Sequence, residues 1–103
     1  FWYRHPLIRK IVYTDGAKYV AEKGGAYWLL DEIAFAQTHS EKVAAEPFQH
    51  WKLSVNENRT ADLVCDDGNG NIVYRKKLDF TDFPLPEIAF YCCDNTILLP
   101  SEY

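Results

Sequence analysis

The sequence predicts an α+β fold: an N-terminal lead-in and two helices packed on one face of a four- to five-stranded antiparallel β-meander. Three observations predict it. Ala26, Leu29, Leu30, Ile33 and Ala34 recur at helical spacing in the first half of the chain. From Phe48 onward the apolar residues alternate with period two. The run Cys65-Asp66-Asp67-Gly68-Asn69-Gly70-Asn71 then joins two alternating segments. A tight hairpin turn needs positive φ, which Gly, Asn and Asp reach at the least steric cost. Helices followed by a meander bury one sheet face and leave the other to water.

The elements follow in order. Residues 1–13 form an aromatic and basic lead-in. Pro6 separates Phe1-Trp2-Tyr3-Arg4-His5 from Leu7-Ile8-Arg9-Lys10-Ile11-Val12-Tyr13, and the second piece reads equally as helix or strand. Thr14-Asp15-Gly16 marks a helix start, with Asp15 as the N-cap that accepts from orphan backbone N–H groups. This helix runs to Lys23, and Gly24-Gly25 supplies a C-cap and a hinge. The second helix covers 26–38. Besides its main apolar stripe it carries Trp28, Glu32, Phe35 and His39 at i, i+4, i+7 and i+11. A helix apolar on nearly all sides is buried on both, here by the sheet and by the lead-in or a second subunit. Ser40–Pro47 reads as a polar connection.

Four strands come next. Phe48–Val55 turns Trp51, Leu53 and Val55 to one face, and after the turn Asn56–Arg59, Thr60–Cys65 does the same with Ala61, Leu63 and Cys65. Ile72–Phe80 places Ile72, Tyr74 and Leu78 on one face and Arg75 and Lys77 opposite. Phe83-Pro84-Leu85-Pro86 falls outside the sheet, because Pro lacks a donor. Ile88–Cys93 is the fourth strand. Asp94-Asn95 turns into Ile97-Leu98-Leu99, and Pro100–Tyr103 closes the chain. The water-facing side of the sheet should carry His50, Lys52, Asp62, Arg75 and Lys77.

With 103 residues, 48% of them apolar, the chain is expected to form one domain, 1–103, with a core that needs neither disulfide nor metal. No stretch reaches the ~20 apolar residues that span a bilayer. The three Cys follow no disulfide or zinc spacing, so reduced thiols in a cytoplasmic setting are expected. The net charge is −4, yet residues 1–23 are rich in Arg and Lys while residues 79–103 have neither. The two ends are therefore expected to meet, within the fold or across a homodimer. The chain starts at Phe1 and contains no Met, so a longer native N-terminus is expected.

Six blocks carry a resemblance: Tyr13-Thr14-Asp15-Gly16, Ala26-Tyr27-Trp28-Leu29-Leu30-Asp31-Glu32-Ile33, Trp51-Lys52-Leu53, the Cys65–Asn71 run, Thr81-Asp82-Phe83-Pro84-Leu85 and Leu99-Pro100-Ser101-Glu102-Tyr103. Together they resemble a family of small bacterial and mobile-element proteins catalogued only as a domain of unknown function. The resemblance implies a bacterial, cytoplasmic, stand-alone domain, and it suggests an inhibitor of a host system. It transfers no activity and no catalytic residue.

The residues offer several chemistries, each weighed against a simpler reading. Asp67, Asn69 and Gly70 match the middle of a calcium loop, but Cys65 and Lys76 stand where its first and last ligands belong. A hairpin turn explains the run better. Cys65, Cys92 and Cys93 with a His lack the paired spacing of structural zinc. Neither a metal nor a cofactor is expected. Cys65 or Cys92 with His50 could form a nucleophile and base, but no elbow or oxyanion loop accompanies them. Trp2, Tyr3, Arg4, Arg9 and Lys10 interleave rings and cations, as single-strand nucleic-acid binders do. The acidic balance disfavours that reading. The 16% aromatic content favours a non-catalytic protein-interaction domain, expected to dimerise through Trp28, Glu32, Phe35 and His39.

Overall fold

The computed structural model describes residues 2–103. Seven strands form one sheet: β1 (Trp2–Arg4), β2 (Val12–Thr14), β3 (Phe48–Val55), β4 (Ala61–Asp66), β5 (Ile72–Leu78), β6 (Glu87–Cys93) and β7 (Thr96–Leu98). Their order is β1-β2-β7-β6-β3-β4-β5. Three helices complete the α+β fold: α1 (Asp15–Gly24), α2 (Tyr27–His39) and the short α3 (Glu41–Ala44); Pro100–Glu102 forms a 3-10 turn.

Of the expected antiparallel meander only β3, β4 and β5 follow one another in the sheet. β6 returns to pair antiparallel with the other side of β3, giving the Greek-key order β6-β3-β4-β5, and the sheet is larger than expected and mixed. The lead-in does not lie on the helices as a separate layer. It contributes β1 and β2, which pair antiparallel, and β2 pairs parallel with β7. These three-residue strands are too short for alternation to show. Their backbone groups find partners far along the chain, as in the bond from Val12 N to Asn95 O at 2.9 Å.

Local chemistry explains the helix ends. Thr14, rather than Asp15, is the N-cap of α1, and its hydroxyl accepts from Ala17 N at 3.2 Å. Asp15 occupies the first turn, where a carboxylate complements the helix dipole. Gly25 ends α1 at φ 62°, a conformation that costs Gly nothing. Ser40 caps α3 through Val43 N, so the segment read as a plain connection contains a helical turn.

The core lies between the helices and one sheet face. Ala17, Ala21, Leu29, Leu30, Ile33 and Ala34 are buried against Trp51, Leu53, Leu63, Cys65, Phe90 and Ile97. In the hairpin, Gly68 and Gly70 take φ of 88° and 89° as the sequence predicts. A bulge beside Cys65 and Asp66 brings Tyr74 opposite Cys65 but Ile72 opposite Asp66. Ile72 therefore leaves the face of Tyr74 and Leu78 and is exposed, against expectation. Phe83 lies outside the sheet as expected, yet it is fully buried. Arg59 holds its loop by donating from Nε to Thr81 O at 3.0 Å and from Nη2 to Phe83 O at 2.6 Å.

The two ends of the chain meet within the fold. The Glu102 carboxylate accepts from Thr14 Oγ1 at 2.6 Å, Gly16 N at 3.2 Å and Leu99 N at 2.9 Å. Burial alone raises this carboxyl, but the Thr14 hydroxyl and the two backbone donors outweigh it and hold it below the usual range. A depressed folded value gives stability that is present above the unfolded value of about 4.3 and lost as pH falls through the folded one. The urea midpoint of Glu102→Ala should thus lie below wild type at pH 7 and converge with it toward pH 3. A gap that is the same at both pH values would show that the ionised carboxylate contributes nothing.

Candidate functional site

The second stripe of α2 faces the outer edge of the sheet. Glu32, Phe35, Ala36, His39 and Ser40 form one wall of a 310 Å³ groove, and Tyr74 and Lys76 of β5 form the other. Lys76 Nζ lies 2.7 Å from Glu32 Oε1, and that hydrogen bond raises the lysine's pKa. The His39 ring sits 6.3 Å from Phe35, with Nδ1 3.0 Å from the Phe35 carbonyl. Trp28 lines an adjoining groove of 250 Å³ with Leu78, Phe80, Thr81 and Asp82. The four residues singled out by spacing therefore lie along one side of α2, over two neighbouring grooves against β5.

The lead-in reaches this side as well. His5 is buried, and its Nδ1 accepts from Leu7 N at 3.1 Å and Ile8 N at 3.0 Å. Those two donors make Nδ1 an acceptor, so Nε2 carries the hydrogen that Asp31 Oδ1 accepts at 2.7 Å. The ring meets Phe35 edge-on at 5.9 Å. His5 thus covers part of Phe35 and leaves the β5 side of the groove open.

The other candidates are dispersed. Trp2 and Arg4 are exposed on β1, while Tyr3 points to the opposite side and stacks on Tyr13 at 5.8 Å. Lys18 Nζ stands 4.8 Å from the Tyr3 ring centroid. Arg4 donates to the Arg9 carbonyl, and Arg9 and Lys10 lie exposed in the turn. Trp2 and Arg4 share one face of β1, but Tyr3 lies on the other and Arg9 and Lys10 in the turn, so the five do not form one surface. Cys65 and Cys92 are buried on the helix side, where burial pushes each thiol up to about 12. His50 projects from the other face, 3.1 Å from Asp66 Oδ2, so the sheet separates it from both thiols. Cys93 shares the His50 side, and burial and then Asp94 raise its pKa. In the hairpin, the Asp67 carboxylate is occupied by its own turn, accepting from Asn69 N at 2.8 Å and Asn71 Nδ2 at 2.8 Å. Among the described residues no group of three potential metal ligands converges.

Two clusters escaped the sequence. On the water-facing side Phe48, His50, Tyr91 and Tyr103 form a ring cluster, with Tyr91 4.8 Å from Phe48 and 5.4 Å from Tyr103. Phe48 and His50 are spaced for one face, but Tyr91 joins them only through the β3–β6 register. Inside, Gln37 and Gln49 bond reciprocally at 2.7 and 2.9 Å, and Trp51 Nε1 donates to Gln49 Oε1 at 3.0 Å. Glutamines at helix and strand positions read as surface residues.

No curated protein and no solved structure matches the chain. A family model described as a family of unknown function, DUF6876, matches residues 1–103. With the match running over its whole length, the chain belongs to the family of unknown function DUF6876.

Proposed function

We propose that the chain is a non-catalytic protein-interaction domain whose binding surface is the α2–β5 side. The observation that carries this reading is the open groove where Phe35, His39, Tyr74 and the Glu32–Lys76 pair converge beside the Trp28 groove. Aromatic rings bordered by ion pairs are the composition of an interface centre and its rim. The thiols support the same reading, because a buried thiol with a raised pKa is a poor nucleophile. An inhibitor of a host system, the role that the family resemblance suggests, would use this surface.

Self-association is one form of that activity, a two-fold contact centred on Trp28 and Phe35. Both rings are half-buried within the subunit, which leaves each about 2 kcal/mol to contribute across a contact. Sedimentation at micromolar concentration should show a wild-type dimer and a folded, monomeric Trp28→Ala/Phe35→Ala variant. A wild-type monomer removes self-association. A double variant that unfolds assigns both rings to the core.

A further inference from the structure

We propose that the outer edge of β5 binds an extended acidic segment of another protein as an added strand; this rests on the α2–β5 surface being the binding surface. β5 is the last strand of the sheet, and among the described residues no further strand pairs with its outer side. Its seven residues make it the longer of the two sheet edges, since β1 has three. An edge of that length presents a row of backbone donors and acceptors that an extended chain can satisfy.

Charge decides which chain. β5 contains Arg75, Lys76 and Lys77 in succession, all exposed, and no acidic residue. Glu32 engages Lys76, whereas neither Arg75 nor Lys77 has an ion-pair partner among the described residues. Asp62 lies opposite Lys77 in the register, but Arg75 faces Val64. This basic strip stands out on a protein of net charge −4. Antiparallel pairing of β5 with β5 of a second copy would set the three cations against three cations, which is unfavourable. Edge lysines deter self-pairing for this reason, and the same residues favour a strand that carries carboxylates.

The grooves add a side-chain pattern. Tyr74 and Lys76 look into the Phe35 groove and Leu78 into the Trp28 groove, while Arg75 and Lys77 point to the other face. A strand laid along β5 alternates its side chains between those two environments. The segment that fits has apolar or aromatic residues at every second position, over the grooves, and Asp or Glu between them, beside Arg75 and Lys77.

A random linear peptide library displayed on phage, selected against the whole domain, tests this. Selected peptides should alternate apolar and acidic residues and bind more weakly as sodium chloride is raised. With the ¹⁵N-labelled protein, they should move the amide signals of β5 and α2. Arg75→Glu with Lys77→Gln, which sets no carboxylate against Asp62, should keep the wild-type unfolding midpoint and weaken these peptides about tenfold or more. Peptides that bind the double variant equally well, that lack acidic residues, or that map to the Phe48–Tyr91 face overturn the proposal while the interaction reading stands. A dimer in which the β5 strands of two copies pair edge to edge, or a dimer centred on Trp28 and Phe35 that the selected peptides do not displace, overturns it in favour of a second copy. A library that yields no binder overturns both readings.

Discussion

Replacing Phe83 by Ala should cost about 3–5 kcal/mol, the usual range for emptying a buried phenylalanine site. The ring is 1% exposed and reaches α1, where a Cβ added to Gly24 would come within 2.7 Å of it. A domain of this size has only about 5–15 kcal/mol in total, so the variant should show a large fall in urea midpoint. The same contact predicts a change of sign. In the wild type, Gly24→Ala drives a methyl group into Phe83 and should destabilise. In the Phe83→Ala background that methyl enters empty space, and the better helix propensity of Ala, about 1 kcal/mol, is gained instead. A full cycle of the four proteins measures this coupling. If Gly24→Ala has the same effect in both backgrounds, Phe83 does not sit against α1.

Gln49→Leu should be the most damaging change of a polar side chain, about 3 kcal/mol or more. Gln49 is buried and is the hub of a network that joins α2, α3 and β3. Its amide donates to Val43 O at 2.8 Å and Glu46 O at 3.1 Å, and its carbonyl accepts from both Gln37 and Trp51. Val43 O keeps a partner in Glu46 N. The buried Trp51 Nε1 and Gln37 Oε1 lose theirs, each at a cost of about 1–3 kcal/mol, while the part-buried Glu46 O adds less. Trp51→Phe removes one of the orphans, so the double variant Gln49→Leu/Trp51→Phe should lose less than the sum of the two single losses. Strict additivity in denaturant melts would show that the indole N–H finds water instead.

The sequence made legible those elements whose signal is local. β3, β4 and β6 appear within one residue of expectation because alternation needs no partner to be visible. The hairpin turn follows from Gly68 and Gly70 alone. The groove on α2 was partly legible, since Glu32, Phe35 and His39 share a stripe, but its other wall, Tyr74 and Lys76, depends on how β5 docks. What escaped was long-range or satisfied by structure. β1 and β2 exist as strands only because β7 is there to receive them. Ile72 left the inner face through one bulged residue. Gln37 and Gln49 are buried because each fulfils the other's hydrogen bonds, a pairing that their types do not announce.

The parallel pairing of β2 with β7 imposes an order of events on a newly made chain. β2 emerges from the ribosome early, but Val12 and Tyr13 have no strand to join until Thr96 and Ile97 have emerged. The clasp between Thr14 and Glu102, 88 residues apart, waits longer still. Contacts of such separation form slowly, because the intervening loop must first be closed. β3, β4, β5 and β6 can assemble while synthesis continues, and β2 must stay undocked until Thr96 and Ile97 have emerged. A nascent chain interrupted before residue 96 would carry a half-built sheet with Tyr13 lacking its strand partner Ile97, a form that quality-control proteases can tell from the finished domain.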